Sequence, residues 1–412
     1  MEVVHPIIVG LDVHQKTVVA CLRVQEGNRA QRTLRTFGTS TPGLLELQRW
    51  LVENGCPCAV IESTGVYWKP VFNILEGSVE VILANAHHVK TLPGRKTDMR
   101  DAEWLAELGA HGLVKASFIP PEPIRELREL TRYRKSLIRQ RTAEVNRIQK
   151  ILETANIKLG AVASDVLGAS GRAMLRALIA GERDAAALAG LAKGTLRKKT
   201  DQLIPALTGR FLLRHAFLLR QMLDHVEFID SQITTIDGEV ERVCVPFEVP
   251  LQLLQSAPGI GTRTAQVIVA EIGIDMNQFP TEHHLASWAA ICPGNNESAG
   301  KRRTGKTRKG NPWLRAALVE GAWAASRARG TYLQSQFRHL AYARGKGRKK
   351  AIVAVAHSIL IAAWHILKKN VRYHDLGPEH LRQTDPEKIK RLLVKKLENL
   401  GYHVSLEEKN AA

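Results

Sequence analysis

Apolar residues cluster first at 6–13, "PIIVGLDV", and again in "TVVACLRV". Both runs are short and dense in β-branched residues, which predicts two paired strands. "TPGLLELQRWLVENG" then repeats its apolar positions at helical spacing. Thr41 reads as its N-cap, Pro42 as its first turn and Gly55 as the stop just past its end. "CAVIES" and "VEVILANA" read as buried strands on either side of a short helix in "YWKPVFNILEG". Strands alternating with helices predict an α/β domain over residues 1–118.

After Pro120-Pro121 the spacing becomes purely helical. Leu127, Leu130, Leu137, Ile138, Val145, Ile148 and Leu152 form one stripe, opposite a face of arginines. Leu212, Leu213, Phe217, Met222, Val226, Ile229, Ile233, Ile236 and Val240 form another. Two such stripes around an Ala/Gly-rich segment predict a helical coiled-coil stalk over 119–248, either packed within its own chain or serving as a dimerisation arm. Residues 249–370 read as a compact all-α domain, and 371–412 as a charged tail. Within the third region "APGIGTRTAQVIV" has the form of a helix-hairpin-helix. Its turn at Gly259 and Gly261 would offer backbone N–H groups to a phosphate.

Charge narrows the function. The 412 residues hold 59 Lys+Arg against 40 Asp+Glu, a net charge of +19, which calls for a polyanionic partner. Nucleic acid is favoured over a membrane, because no apolar run reads as a bilayer span and no secretory signal opens the chain. The five cysteines, at 21, 56, 58, 244 and 292, fit neither a disulfide framework nor a zinc site. They predict reduced thiols and a cytoplasmic protein.

Two groups of residues carry candidate chemistry. Asp12 interrupts the apolar run "IIVGLDVH", and Glu62 ends "CAVIES". A carboxylate there is costly unless paired or bound to a cation. In "GRKTDMRDAEWLAEL", Asp98 and Asp101 stand three apart at a helix start, on one face. Four converging acids would demand Mg²⁺ and could support metal-assisted attack on a phosphodiester. The second group is "ESAGKRRTGKTRKGNPWLR", where Ser298 precedes Arg302, Arg303, Lys306, Arg308 and Lys309 in a glycine-punctuated loop. It reads as a phosphate clamp, with or without a nucleophilic serine in front of it.

The segments "GLDVHQKTVVACL", "IESTGVYWKP", "GRKTDMRDAEWLAEL", "PGIGTRTAQVIVAEIG" and "NESAGKRRTGKTRKGNPWLRAALVEGAW" occur in that order. Over roughly residues 5–365 the chain resembles the DEDD-type transposases of insertion sequences, described as bridge-RNA-guided serine recombinases. The resemblance maps the family's acids onto Asp12, Glu62, Asp98 and Asp101, and its serine nucleophile onto Ser298. It implies an RNase H-like, RuvC-type N-terminal domain and a covalent phosphoserine–DNA intermediate. It also implies a site composed from two subunits of a dimer or tetramer. Its expected partners are target and donor DNA, and a noncoding guide RNA that pairs with both. Glu297 and Ala299 depart from a motif that carries two serines and two glycines in many relatives. Two other functions fit the residues: a metal-dependent junction nuclease in which water attacks and Ser298 is inert, and a non-enzymatic architectural protein.

Overall fold

In a computed structural model the chain forms two compact units, Met1–Ile119 and Pro120–Ala412. The structure describes residues 2–63, 65–86, 89, 100–293, 296–298, 301–304, 307–380 and 386–406.

The first unit is built on a mixed sheet. Its described strands are β1 (Ile7–Val13), β2 (Thr17–Glu26), β3 (Arg29–Gly38), β4 (Cys58–Glu62) and β5 (Glu80–Ala84), in the order β3-β2-β1-β4-β5. β1, β2 and β3 pair antiparallel, whereas β4 joins β1, and β5 joins β4, in parallel. This order and polarity fit an RNase H-like fold. β3 is exposed at nearly every position and carries Arg29, Arg32 and Arg35, which guards the sheet edge against further pairing.

Helix α1 (Thr41–Glu53) follows β3, and α2 (Trp68–Leu75) lies between β4 and β5. The N-cap of α1 is Ser40 rather than Thr41. Ser40 is extended while Thr41 is already helical, and Pro42 occupies the first turn as expected. One face of the sheet, through Val9, Leu11, Ala59 and Ile61, packs on Leu44, Leu47 and Leu51 of α1 and on Val71 and Leu75 of α2. The other face, through Ile8, Cys58 and Val60, packs on Trp104, Leu105 and Leu108 of α3 (Asp101–Ala110). Burial pushes the Cys58 thiol up to about 12 and the Cys56 thiol up to about 11, so both are inert packing groups.

The second unit is mostly helical. α4 (Glu122–Thr154) leads through α5 (Leu159–Val162), α6 (Ala169–Ala180), α7 (Ala185–Gly190) and α8 (Thr200–Leu207) to α9 (Leu213–Cys244). Ion pairs join Glu126 to Arg242, Arg134 to Asp237 and Arg141 to Asp230, and His225 Nδ1 lies 3.7 Å from Glu144 Oε2. Partner numbers rise on α4 as they fall on α9, so the two long helices are antiparallel. Much of each apolar stripe is therefore buried against the other helix within one chain. Leu127, Leu137, Ile148 and Leu152 are buried on α4, and Leu219, Leu223, Val226, Ile229 and Val240 on α9. Leu213 and Phe217 of the expected stripe are instead 86% and 64% exposed.

The chain continues with α10 (Glu248–Gln255), α11 (Thr262–Ile272), α12 (Glu282–Trp288), β6 (Asn296–Ser298), β7 (Lys301–Thr304), α13 (Pro312–Ala325), α14 (Tyr332–Arg338), α15 (Arg348–Lys369) and α16 (Pro386–Glu398). By length and composition alone α15 is apolar enough to cross a membrane, contrary to the sequence expectation. Its Ile352, Val355, Ile359, Leu360 and Ala363 are buried in this unit, which makes it a core helix here.

Candidate functional site

The parallel register aligns Val9 with Ala59 and Leu11 with Ile61, so Asp12 and Glu62 follow as neighbours at the carboxyl ends of β1 and β4. Side chains alternate across a strand. Ile8 and Val60 face α3, and Gly10, Asp12 and Glu62 share that face. Gly10 is where the helix approaches most closely. A Cβ there would lie 2.1 Å from the Ala102 carbonyl oxygen and 2.5 Å from the Ala106 nitrogen. At the other end of the helix a Cβ on Gly109 would meet Ile8 and Val60, each at 2.6 Å. α3 therefore runs back along β1 and puts its first residue, Asp101, at the end of the strand where Asp12 stands.

Glu107 anchors that helix to the sheet. It accepts from Arg23 Nε of β2 at 3.1 Å and from Arg32 Nη2 of β3 at 2.8 Å, and lies 3.1 Å from His111 Nε2. Burial alone would raise the Glu107 carboxyl, but these partners outweigh it and hold it below its ordinary value.

Asp12 behaves in the opposite way. Burial pushes its carboxyl up from the usual value. His14 opposes the rise, while the charges of Asp101 and Glu62 add to it. Two of the other expected acids thus act on Asp12. His14 Nε2 lies 3.1 Å from Asp12 Oδ2. Two residues beyond Asp12 along the strand, it is a polar group that sequence reading missed, although the strand period marks its side. The donor set is all oxygen, which suits a hard divalent cation. Among the described residues no three of His, Cys, Asp and Glu are grouped so that they could hold a metal ion. Asp98 lies outside the described residues.

The expected loop around Ser298 is a β-hairpin. β6 pairs antiparallel with β7, Ser298 opposite Lys301 and Glu297 opposite Arg302, and a bridge from Pro293 to Thr307 extends the pairing. Arg303 lies within β7. Lys306 lies outside the described residues. Arg308 and Lys309 are exposed, and Arg308 Nη2 donates to Ser287 Oγ at 2.9 Å. Gly310 is a close approach rather than a loose joint, since a Cβ there would lie 2.4 Å from the Ala289 carbonyl oxygen.

Just beyond the hairpin, Asn311 caps α13. Its Oδ1 accepts from the backbone of Trp313 at 3.0 Å and Leu314 at 3.1 Å. Its Nδ2 donates to Glu271 Oε2 at 2.6 Å. Glu271 on α11 is fully buried, and Arg132 of α4 grips both its oxygens at 2.8 and 2.7 Å. Arg128 donates to the Glu271 carbonyl at 2.8 Å. Glu271 stands in "AQVIVAEIG", an acid inside an apolar run like Asp12, yet its signal belongs to a structural ion pair that sequence reading missed.

The glycine turn before α11 divides its work. Gly259 has a φ of +87° and packs on α13, since a Cβ there would meet the Gly321 carbonyl oxygen at 2.2 Å. That close packing accounts for the glycine at this position. Gly261 is the exposed N-cap of α11, with open space around it and no capping side chain.

Comparison with known proteins falls on these same segments. A transposase family model of the DEDD IS110 type matches residues 9–157, and one described as "Transposase IS116/IS110/IS902 family" matches residues 251–338. The transposase for insertion sequence element IS1111A of Coxiella burnetii is 24% identical over 323 residues, covering 77% of this chain and 79% of its own. The insertion element IS110 uncharacterized 43.6 kDa protein of Streptomyces coelicolor is 34% identical over 131 residues, 31% of each chain. A putative transposase, y4rJ, of Sinorhizobium fredii is 25% identical over 343 residues, covering 76% of this chain and 78% of its own. One match spans the acidic sheet and the other the serine hairpin, and this chain belongs to the IS110 family of DEDD-type transposases, enzymes that move DNA.

Proposed function

We propose that this transposase cuts and rejoins DNA through a phosphodiester bond to Ser298, with Asp12, Glu62, Asp98 and Asp101 holding Mg²⁺ and a noncoding RNA guiding the choice of target and donor. The observation that supports the acidic half is the rise that Asp101 and Glu62 add to the Asp12 carboxyl, with Asp12 and Glu62 at the carboxyl ends of adjacent parallel strands. Asp12 is partly buried, and a cation beside it would offset the cost of its anion.

Ser298 Oγ attacks the phosphorus as its proton departs, and the bond from phosphorus to one DNA oxygen breaks, leaving a free hydroxyl end. The phosphodiester is conserved as a serine–DNA ester, so rejoining needs no outside energy. A hydroxyl from the second strand attacks the same phosphorus and releases the serine. The lysines and arginines after Ser298 supply charge as the crowded phosphorus gains negative character. A divalent ion at the acids would lower the cost of charge on the attacking or leaving oxygen.

The test is denaturing electrophoresis of a reaction with labelled DNA, followed by peptide mapping. Protein-linked DNA mapping to Ser298, and its loss in Ser298→Ala with DNA binding retained, is the expected result. An adduct on another residue, or recombination by Ser298→Ala, overturns the nucleophile assignment. Cutting without any adduct assigns the attack to water.

A further inference from the structure

The segment "RGKGRKK", residues 344–350, lies beyond both family-matched ranges and outside the Ser298 hairpin. All seven residues are exposed. Gly345 and Gly347 have φ values of +59° and +80°, and nothing lies within 4 Å of where a Cβ on either would stand. α15 begins immediately after, with Gly347 as N-cap and no side chain capping it.

The charge at this helix start is the wrong way round for the helix. The positive end of the helix dipole favours acids in the first turn and disfavours cations. Here the first turn holds Arg348, Lys349 and Lys350 and no acid. The far end of α15 carries Lys368 and Lys369, where the dipole does favour them. Arg348 is partly accounted for, since its guanidinium lies 5.5 Å from the centre of the Trp323 ring. Arg344 Nε donates to His339 Nε2 at 3.1 Å. Among the described residues no carboxylate pairs with Lys346, Lys349 or Lys350. Exposed cations gathered against the local electrostatics match a polyanion bound from outside the chain.

We propose that residues 344–350 form a second DNA contact, separate from the serine hairpin, that binds the phosphate backbone of duplex DNA. Duplex DNA is the partner of choice because the family's reaction is on DNA and exposed point charges suit phosphates rather than base edges.

The triple variant Lys346→Gln, Lys349→Gln, Lys350→Gln tests this by salt titration of binding to a duplex of arbitrary sequence. Each lost phosphate contact should reduce the slope of log affinity against log salt by about one, so a reduction of about 2–3 is expected. The melting temperature of the free protein should stay the same or rise, because three cations leave the positive end of a helix. An unchanged slope overturns the proposal, and so does a lowered melting temperature, which would make the lysines structural. Loss of binding to a structured RNA with the DNA slope intact also overturns it, and assigns the patch to RNA. The measurement involves no cleavage, so it stands apart from the Ser298 assignment, and Ser298→Ala measured alongside should keep the parental slope.

Discussion

Asp12 is held in a state that costs the folded protein. Burial and the charges of Asp101 and Glu62 raise its carboxyl above the usual value, with His14 only partly offsetting them. For an acid with a raised folded value, stability is greatest below the ordinary carboxylate range and falls as pH rises through the folded value. At neutral pH the Asp12 anion is therefore a destabilising charge unless a cation joins it. The double variant Asp12→Asn, Glu62→Gln should melt at the same temperature as the parent or higher. Its strand cleavage should fall about a hundredfold or more, the several kcal/mol that a metal centre supplies. Added Mg²⁺ should raise the melting temperature of the parent but not of the variant, since binding to the folded state alone stabilises it. Equal Mg²⁺ stabilisation of both proteins would place the ion elsewhere. At this scale Asp12 and Glu62 were legible because a charge interrupting an apolar strand is conspicuous. Glu271 shows the limit of that signal: the same pattern marks an acid gripped by Arg132 and Asn311, whose partners are 139 and 40 residues away in sequence.

Elements were legible where the sequence carries a periodic apolar face and illegible where it does not. The β1, β2 and β4 runs and the long helices declared themselves through apolar spacing. The β6–β7 hairpin did not, because its positions are mostly charged or polar and carry no period-two apolar signal. Nor could the stripes on α4 and α9 reveal that they meet each other, since spacing describes one helix and not its partner. The ion pairs that fix this antiparallel order lie a hundred residues apart, as with Arg134 and Asp237. Glu271 plays the corresponding part among α4, α11 and the start of α13, and it has no exposed surface. Removing it leaves Arg132 and the half-buried Arg128 without their acid and frees the Asn311 amide. Glu271→Ala should cost about 3–5 kcal/mol, the range for breaking a buried ion pair by deleting one partner. Denaturant unfolding of the helical region measures this. A loss under about 1 kcal/mol, within the range of ordinary surface changes, would show that the three elements are held by apolar packing alone.

Across the whole molecule, the acids and the serine belong to different units: Asp12, Glu62 and Asp101 to the first, Ser298 to the second. Neither unit carries both halves of the proposed chemistry, so the halves must be brought together either within one chain or between two. The resemblance implies two chains, and if the reaction exchanges strands between two DNA partners, at least two active sites must be held together. Mixing two inactive variants separates the cases. Asp12→Asn keeps the serine, and Ser298→Ala keeps the acids. In an assembly where each site draws acids from one copy and serine from another, every mixed pair contains one intact site. Labelled DNA should then become attached to the polypeptide that carries Asp12→Asn, because that chain alone retains Ser298. A size tag on one variant identifies it on a denaturing gel. Each variant alone should give no adduct. A site formed within one chain predicts no adduct in the mixture either, and that outcome, with co-purification proving that mixed assemblies formed, would overturn the two-chain site while leaving Ser298 and the acids in their proposed roles.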